Sequence, residues 1–458
     1  MVQSNHLLVG AVADDDTGMT DLCGMFAKNG VNAVMFFETQ SLNIIEEYSR
    51  DAEVVVIGTR ARNLRPNEAY DKTYRALESL KSLLPRTFYL KYCSTFDSTS
   101  RGNIGQMIDA GLDMFGGYTT AVPALPVNGR TTYMGNHFVM GVRLDRSPMK
   151  DHPLTPMTEA DLVLWLGYQT KRKVGLADYN AVVRGTEALR GRLEQLAEAG
   201  KEVIVVDCIT QRDLRTIDEA CWNLRLITGS SGPAMELPSL WRRERLFHRR
   251  HQDLSHIKTK DGIKPLLVIA GSVSVATLDQ NRFAIEHGFT GMGLDTNRLV
   301  SQGRKVNSEE VALTSRKIVK ELSKGRNVIV YSALNEEDVR RTKDLGHSRG
   351  LTDGQIGDLI SESNGQIASQ VLNQIELNKL VVAGGETAGA VGRKLKLIGL
   401  HVGEEISPGV PICFAISKDP KCEGLVLALK SGNFGASTFY RDALVKMRRH
   451  VEGKDKRN

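Results

Sequence analysis

Short apolar runs that stop abruptly at a polar or glycine-bearing turn recur along this chain, and they constrain its fold more than any other feature. His6 to Ala13 (HLLVGAVA) runs straight into Asp14, Asp15, Asp16, Thr17 and Gly18, ahead of a helical stretch from Met19 to Asn29. Val31 to Phe37, Glu53 to Thr59, Arg86 to Leu90, Thr119 to Pro123, Lys173 to Leu176 and Glu202 to Val206 repeat the pattern, with helical periodicity between them. The second half continues it at Pro265 to Ala270, Asn327 to Tyr331, Lys379 to Ala383 and Leu425 to Leu429. Such alternation predicts α/β architecture with mostly parallel sheets flanked by helices. In an open sheet of that type the turns after the strands converge on one crevice, and ligands bind there.

At 458 residues the chain exceeds one ordinary core, so two α/β domains are expected, with the ligand site in the cleft between them. Pro238 to Lys260 is rich in arginine and histidine and poor in aliphatics. It reads as a basic linker over 238–262, joining a domain of residues 1–237 to one of residues 263–458. Trp241 and Phe247 among Arg242, Arg243, Arg245, Arg249 and Arg250 would also suit nucleic acid. A solvated amphipathic connector needs no partner and is preferred, so no nucleic-acid partner is expected. No apolar run approaches the roughly 20 residues of a membrane helix, and no basic leader precedes an apolar core, which predicts a cytoplasmic protein with no membrane partner. The six cysteines form no CxxC pair and read as buried reduced thiols. A net charge of +6 suits anionic metabolites. No internal repeat is evident, the tail from Glu452 to Asn458 reads as disordered, and a homo-oligomer is compatible with all of this.

The turns carry the chemistry. Lys91 to Gly105 (KYCSTFDSTSRGNIG) places a lysine, an aspartate and several small hydroxyl residues in the turn before a predicted helix. That set suits a polyhydroxylated, anionic small molecule. Ser94 and Thr95 can bond its hydroxyls, Lys91 can meet a carboxylate or phosphate, and Asp97 can accept a proton from an alcohol or bind one. The plainer alternative is a solvated loop with Asp97 or Ser98 as helix N-cap. Asp14, Asp15 and Asp16 repel one another, so a metal ion, a lysine or arginine, or the helix N-terminus just downstream must offset them. Arg60 and Arg62 (TRAR) and Arg130 (TAVPALPVNGR) follow neighbouring apolar runs, and Thr228 to Gly232 adds a small-residue turn.

After the linker the turns change character. Gly271, Ser272, Val273 and Ser274 lead into a helix containing Thr277 and Gln280, and one strand ends at Ser332. Gly384, Gly385, Glu386, Thr387, Ala388 and Gly389 follow another strand, and Lys430, Ser431, Gly432, Asn433, Phe434 and Gly435 follow the last. Glycine turns at strand ends let backbone N–H groups approach a phosphate, and a helix N-terminus adds partial positive charge, so a nucleotide is expected here. No GxxxxGK[ST] loop is present, nor a GxGxxG with a ribose-binding acid at the right distance, which argues against a P-loop ATPase and a standard Rossmann dehydrogenase.

Taken in order, ADDDTG (Ala13 to Gly18), KYCSTFDSTSRGNIG, PALPVNGRTTYMG (Pro123 to Gly135), HPLTPMT (His152 to Thr158), GSVSVAT (Gly271 to Thr277), GGETAG (Gly384 to Gly389) and LALKSGNFG (Leu427 to Gly435) resemble the four-carbon acid sugar kinase family across nearly the whole chain. The resemblance implies an N-terminal domain that holds the acid sugar and a C-terminal domain that holds ATP with Mg2+. It implies phosphorylation of the terminal 4-hydroxyl of 3-oxo-tetronate, D-threonate or D-erythronate, and HPLTPMT is similar to the 3-oxo-tetronate branch. The family's first motif usually reads ADDLTG; here Asp16 replaces the apolar residue while Asp15 keeps its place. Phosphoryl transfer asks for positioning and charge neutralisation. Asp15 is the expected base or orienter of the alcohol. Asp14, Arg62, Lys91, Ser94, Thr95, Asp97 and Arg130 form the expected substrate set. Ser272, Ser274, Thr277, Gly384, Gly385, Glu386, Thr387, Lys430, Gly432, Asn433 and Gly435 form the expected nucleotide set. The magnesium ligands are not legible. Two rivals remain: a sugar-acid dehydrogenase, separable by NAD reduction, and a binding protein without turnover.

Overall fold

The computed structural model describes residues 7–152, 154–249, 251–260, 262–303 and 305–452. Two compact units divide the chain, residues 1–253 and 254–458.

The first unit holds strands β1 (Val9–Ala13), β2 (Ala33–Phe36), β3 (Val54–Gly58), β4 (Thr87–Lys91) and β5 (Thr119–Val122). An insertion follows with β6 (Arg130–Tyr133), β7 (Asn136–Val139) and β8 (Val142–Arg143), and then come β9 (Val174–Ala177), β10 (Val203–Val206) and β11 (Leu226–Gly229). The main strands pair in the order β2-β3-β1-β4-β11-β5-β10-β9, all parallel. Each strand is buried throughout or nearly so, as expected where helices cover both faces of a parallel sheet. The insertion forms its own antiparallel sheet, β6-β7-β8. Because β1 lies between β3 and β4, with Ala13 opposite both Gly58 and Lys91, three strand ends meet at one point where the strand order reverses.

The second unit holds β12 (Leu267–Ala270), β13 (Thr290–Gly293), β14 (Val328–Tyr331), β15 (Lys379–Ala383), β16 (Leu397–Ser407), β17 (Val410–Ser417) and β18 (Val426–Lys430). The order is β13-β14-β12-β15-β18-β17-β16. The first five run parallel, and β17 is antiparallel to both β18 and β16. Mostly parallel sheets flanked by helices are therefore found in both units.

Two expectations need correction. Pro238 to Lys260 is not a free linker. Residues 238–243 complete a helix, Gly232–Arg243, in which Pro238, Leu240 and Trp241 are buried and Trp241 stacks on Phe26 with ring centroids 5.6 Å apart. The arginines that suggested a solvated strip work inside the unit: Arg242 lies over Phe247 and donates to Asn29 O, and Arg249 pairs with Glu53. Beyond the unit boundary, Ile257 enters the core of the second unit. Arg250 and the tail at 453–458 lie outside the described residues.

The second correction concerns the segment after β4. Neither Asp97 nor Ser98 caps a helix: the next one is Ile104–Phe115, with Asn103 at its N-cap. The intervening residues form a pinned loop. Phe96 is left-handed (φ 59°), and Ser98 Oγ donates to Phe96 O at 2.8 Å, so the backbone turns back before a helix can begin.

Candidate functional site

At the reversal point of the first unit, the three adjacent aspartates are offset by two of the devices open to them. Asp14, 2% exposed, receives two hydrogen bonds from Arg62, Nε to Oδ2 at 2.8 Å and Nη2 to Oδ1 at 3.0 Å. Asp15 caps the helix Asp16–Lys28, accepting from Gly18 N at 2.6 Å, and its Oδ1 also lies 3.0 Å from Arg62 Nη2. Asp16 pairs with Arg60 at 2.9 Å. A cap thus accounts for one carboxylate, and arginines from the end of β3 account for the others.

Burial raises the Asp15 carboxyl above the ordinary aspartate range, and the Asp14 charge adds to this; Arg62, Lys91 and the Gly18 N–H oppose it. Asp15 is thereby a stronger base than a free aspartate. Burial likewise raises Asp16. Arg62 is held charged by Asp14 and Asp15 in spite of its burial.

Lys91 is the last residue of β4 and is buried, not in the turn where the sequence placed it. Its Nζ donates to Tyr92 O at 3.0 Å and lies 3.9 Å from Asp21 Oδ2. Gly18 makes this arrangement possible. A Cβ there would lie 2.5 Å from Asp15 Oδ1 and 3.1 Å from Lys91 Nζ. Asp97 joins the cluster, accepting from Thr95 Oγ1, with Oδ2 3.9 Å from Arg62 Nη1.

The loop from Ser94 to Asn103 is held from outside. His137 on β7 donates from Nε2 to Ser94 O at 2.8 Å, while its Nδ1 meets Thr132 Oγ1 at 3.0 Å. Burial lowers His137 to about 4, so it is neutral and Thr132 is the donor to Nδ1. Trp165 Nε1 and Gln169 Nε2 both donate to Ser98 Oγ. Asn103 Nδ2 reaches Ala61 O, Arg62 O and Leu64 O, splinting this loop to the one that carries Arg62.

Arg130 stands apart. Its Nη1 donates to Asn128 O, and among the described residues no hydrogen bond or ion pair joins it to Asp15 or Asp97. A cavity of about 270 Å³ adjoins Arg62 and is lined also by Arg101, Asn103 and Thr155. Thr155 belongs to the HPLTPMT segment, whose Pro153 is outside the described residues, and its N and Oγ1 both meet His152 Nδ1. Asp21, Asn103, His137 and Arg101 were not anticipated. Of these only Asp21, one helical turn after Gly18, carried a periodic signal.

The second unit places Gly271, Ser272 and Ser274 after β12 beside Gly384, Gly385, Glu386 and Thr387 after β15. All of them, with Gly432, line a cavity of about 440 Å³. Gly384 has φ 120°, which favours glycine, and Gly385 begins the helix Gly385–Lys394 with nothing within 4 Å of where a Cβ would stand. That open space at a helix N-terminus fits an anion. At Gly432, by contrast, a Cβ would strike Ser272 Oγ and Ser274 Oγ.

Thr277 and Lys430 act beneath the lining. Lys430 Nζ donates to Thr277 Oγ1 at 3.2 Å and Gly432 O at 3.1 Å, and Thr277 Oγ1 donates to Gly432 O. Burial lowers the Lys430 ammonium to about 8. Asn433 and Gly435 are not on the lining; Gly435 is left-handed (φ 83°), and a Cβ would press on Phe439. Ser332 and Asp353 line the cavity without having been anticipated as binding residues.

Comparison with known proteins agrees with this division. Residues 9–237 match the sugar-binding N-terminal domain family and residues 267–440 the nucleotide-binding C-terminal domain family. The chain is 37% identical over 445 residues to a 3-oxo-tetronate kinase of Cupriavidus necator, covering 97% of this chain and 98% of that one. It is 38% identical over 440 residues to a 3-oxo-tetronate kinase of Burkholderia multivorans, covering 95% and 96%. The crystal structure of a Haemophilus influenzae protein superposes with a TM-score of 0.81 at 32% identity, covering 96% of this chain and all of that one. With both family models matched and near-full-length relatives well above 30% identity, this chain belongs to the four-carbon acid sugar kinase family.

Proposed function

We propose that the protein transfers the γ-phosphoryl group of ATP to the terminal hydroxyl of a four-carbon acid sugar, with 3-oxo-tetronate as the leading substrate. The observation that carries this reading is the near-full-length likeness to relatives named 3-oxo-tetronate kinase. The chemistry of the two sites supports it.

The acid sugar is assigned to the strand ends around Arg62, which has Asp15 and Asp97 beside it, with Ser94 and Thr95 on the loop that carries Asp97. Arg62 and Lys91 would meet the carboxylate, and Asp14 keeps Arg62 in place. Asp15 takes the proton of the terminal hydroxyl as its oxygen bonds to the γ-phosphorus, and the bond from that phosphorus to the β-phosphate bridging oxygen breaks to release ADP. The raised proton affinity of Asp15 suits this task. The ATP phosphates are assigned to the N–H groups at Gly384 and Gly385, with Ser272 and Ser274 as hydroxyl donors. Magnesium bound with ATP would neutralise phosphate charge, and of the two lining carboxylates Glu386, in the first turn of the Gly385 helix, is assigned to hold it, Asp353 being paired with Lys343 and His347. A coupled assay of ADP release across 3-oxo-tetronates, D-threonate and D-erythronate tests the reading. Turnover is expected with at least one of them, 3-oxo-tetronate foremost, and NAD reduction or no turnover with any would overturn it.

A further inference from the structure

The large cavity of the second unit has two chemically different ends. Toward β15 it is lined by glycine, serine and a helix N-terminus; the rest of its wall is Ala333, Val339, Ile356 and Ile360, with Thr296 and Thr342, whose hydroxyls bond each other at 2.6 Å, and the Lys343–Asp353 ion pair. Beside Ala333 on that wall stands Ser332, just after β14 and 7% exposed, whose Oγ finds no hydrogen-bond partner among the described residues. A buried hydroxyl without a partner costs free energy, and one that lines a cavity can recover it from whatever fills the space.

Strand order fixes the direction. β14 is two strands from β15, with β12 between them, and neighbouring strands lie about 4.8 Å apart. Ser332 is therefore roughly 10 Å along the sheet edge from the Gly384 turn, the scale on which a nucleoside stands off from its terminal phosphates. A wall of aliphatic side chains whose threonine hydroxyls already bond each other, with one hydroxyl left unpartnered at Ser332, suits a flat base and its sugar, whereas the glycine end suits phosphate.

We infer that the nucleotide lies along the carboxyl edge of the sheet with its nucleoside half between Val339 and Ile356, where Ser332 Oγ hydrogen-bonds the base or ribose. This rests on the assignment of ATP to the second unit. Removing an unpartnered hydroxyl leaves the fold intact, so Ser332→Ala is expected to keep the melting temperature of the parent protein. Val339→Glu, on a half-buried helical position, sets a charge against the same pocket.

Calorimetry with ADP and with inorganic tripolyphosphate, on the full chain, reads the two ends separately. Ser332→Ala is expected to weaken ADP by about 3- to 10-fold, and Val339→Glu by at least about tenfold. Tripolyphosphate should bind each variant as it binds the parent. ADP binding unchanged in both folded variants would overturn the inference, as would equal weakening of ADP and tripolyphosphate by Ser332→Ala, which would put that hydroxyl on the phosphates. A parent protein that binds ADP but not tripolyphosphate would also count against it. Failure of the parent protein to bind ADP at all would instead overturn the assignment of ATP to this unit.

Discussion

The two units build their sites on the same local frame and fill it with opposite chemistry. Strands β2-β3-β1-β4 and β13-β14-β12-β15 follow one order, so each unit has its reversal point beside the first strand and its polar turns at that strand's carboxyl end. In the first unit these positions carry Asp14, Arg62 and Lys91, fixed charges of which Arg62 pairs with Asp14 and Lys91 lies 3.9 Å from Asp21. In the second the matching turns carry Gly271, Ser332 and Gly384, small uncharged residues, and a Cβ at Gly271 would strike Thr387 Oγ1. Topology decides where a ligand can sit, and residue size and charge decide which ligand it is.

The sharpest way to break this contrast is Asp15→Asn. If the first unit supplies the base, kcat should fall roughly 10²–10⁴-fold while the KM for the acid sugar moves little. A loss confined to KM would reduce Asp15 to a binding residue and leave Asp97 as the remaining candidate.

His137→Asn asks whether the insertion sheet positions the substrate loop. Losing a buried hydrogen bond to Ser94 O costs about 1–3 kcal/mol, so kcat/KM for the acid sugar should drop by about tenfold while the KM for ATP holds. Equal damage to both KM values would mark a purely structural role.

Gly385→Ala and Gly432→Ala separate cradle from turn within the second unit. The open space at Gly385 predicts an unchanged melting temperature and a KM for ATP raised several-fold; the crowding at Gly432 predicts a lower melting temperature as well. Normal ATP dependence in Gly385→Ala would sink the phosphate assignment there.

The smallest effect is a pH shift. Asp15 must be ionised to act as base, so kcat/KM should fall as pH drops through its raised proton affinity. Asp14→Asn removes a charge that raises Asp15 and frees Arg62 to act on it, so the acid limb should move to lower pH. An unmoved limb would assign it to another group.

The frame was legible because apolar runs ending in Asp, Gly or Lys mark strand ends without help from tertiary contacts, and the three glycine- and serine-bearing turns of the second unit and the triple aspartate stand out in that way. Their partners were not. Asp14 meets Arg62 and His137 meets Ser94 O across more than 40 residues, and nothing in local periodicity encodes such pairings. Arginine density misled at 238–249, because guanidinium groups packed on Phe247 read in a sequence like solvated charge. Ser332 reads in the sequence only as a strand end, because a lone serine there gains meaning only when its hydroxyl is seen to lack a partner.

The buried ammonium under the Gly432 turn ties the second unit to the proton concentration around it. Lys430 has a folded-state value of about 8 against 10.5 for the free side chain, so the unfolded chain binds more protons between those limits. The cost of burying its charge is full below pH 8 and is relieved as the pH rises toward 10.5, so on this account the second unit gains stability in mild alkali. Phosphate bound nearby would favour the charged form, drawing a proton from solvent when nucleotide binds above pH 8. Nucleotide affinity should then weaken as the medium becomes more alkaline, in the direction opposite to the gain in fold stability.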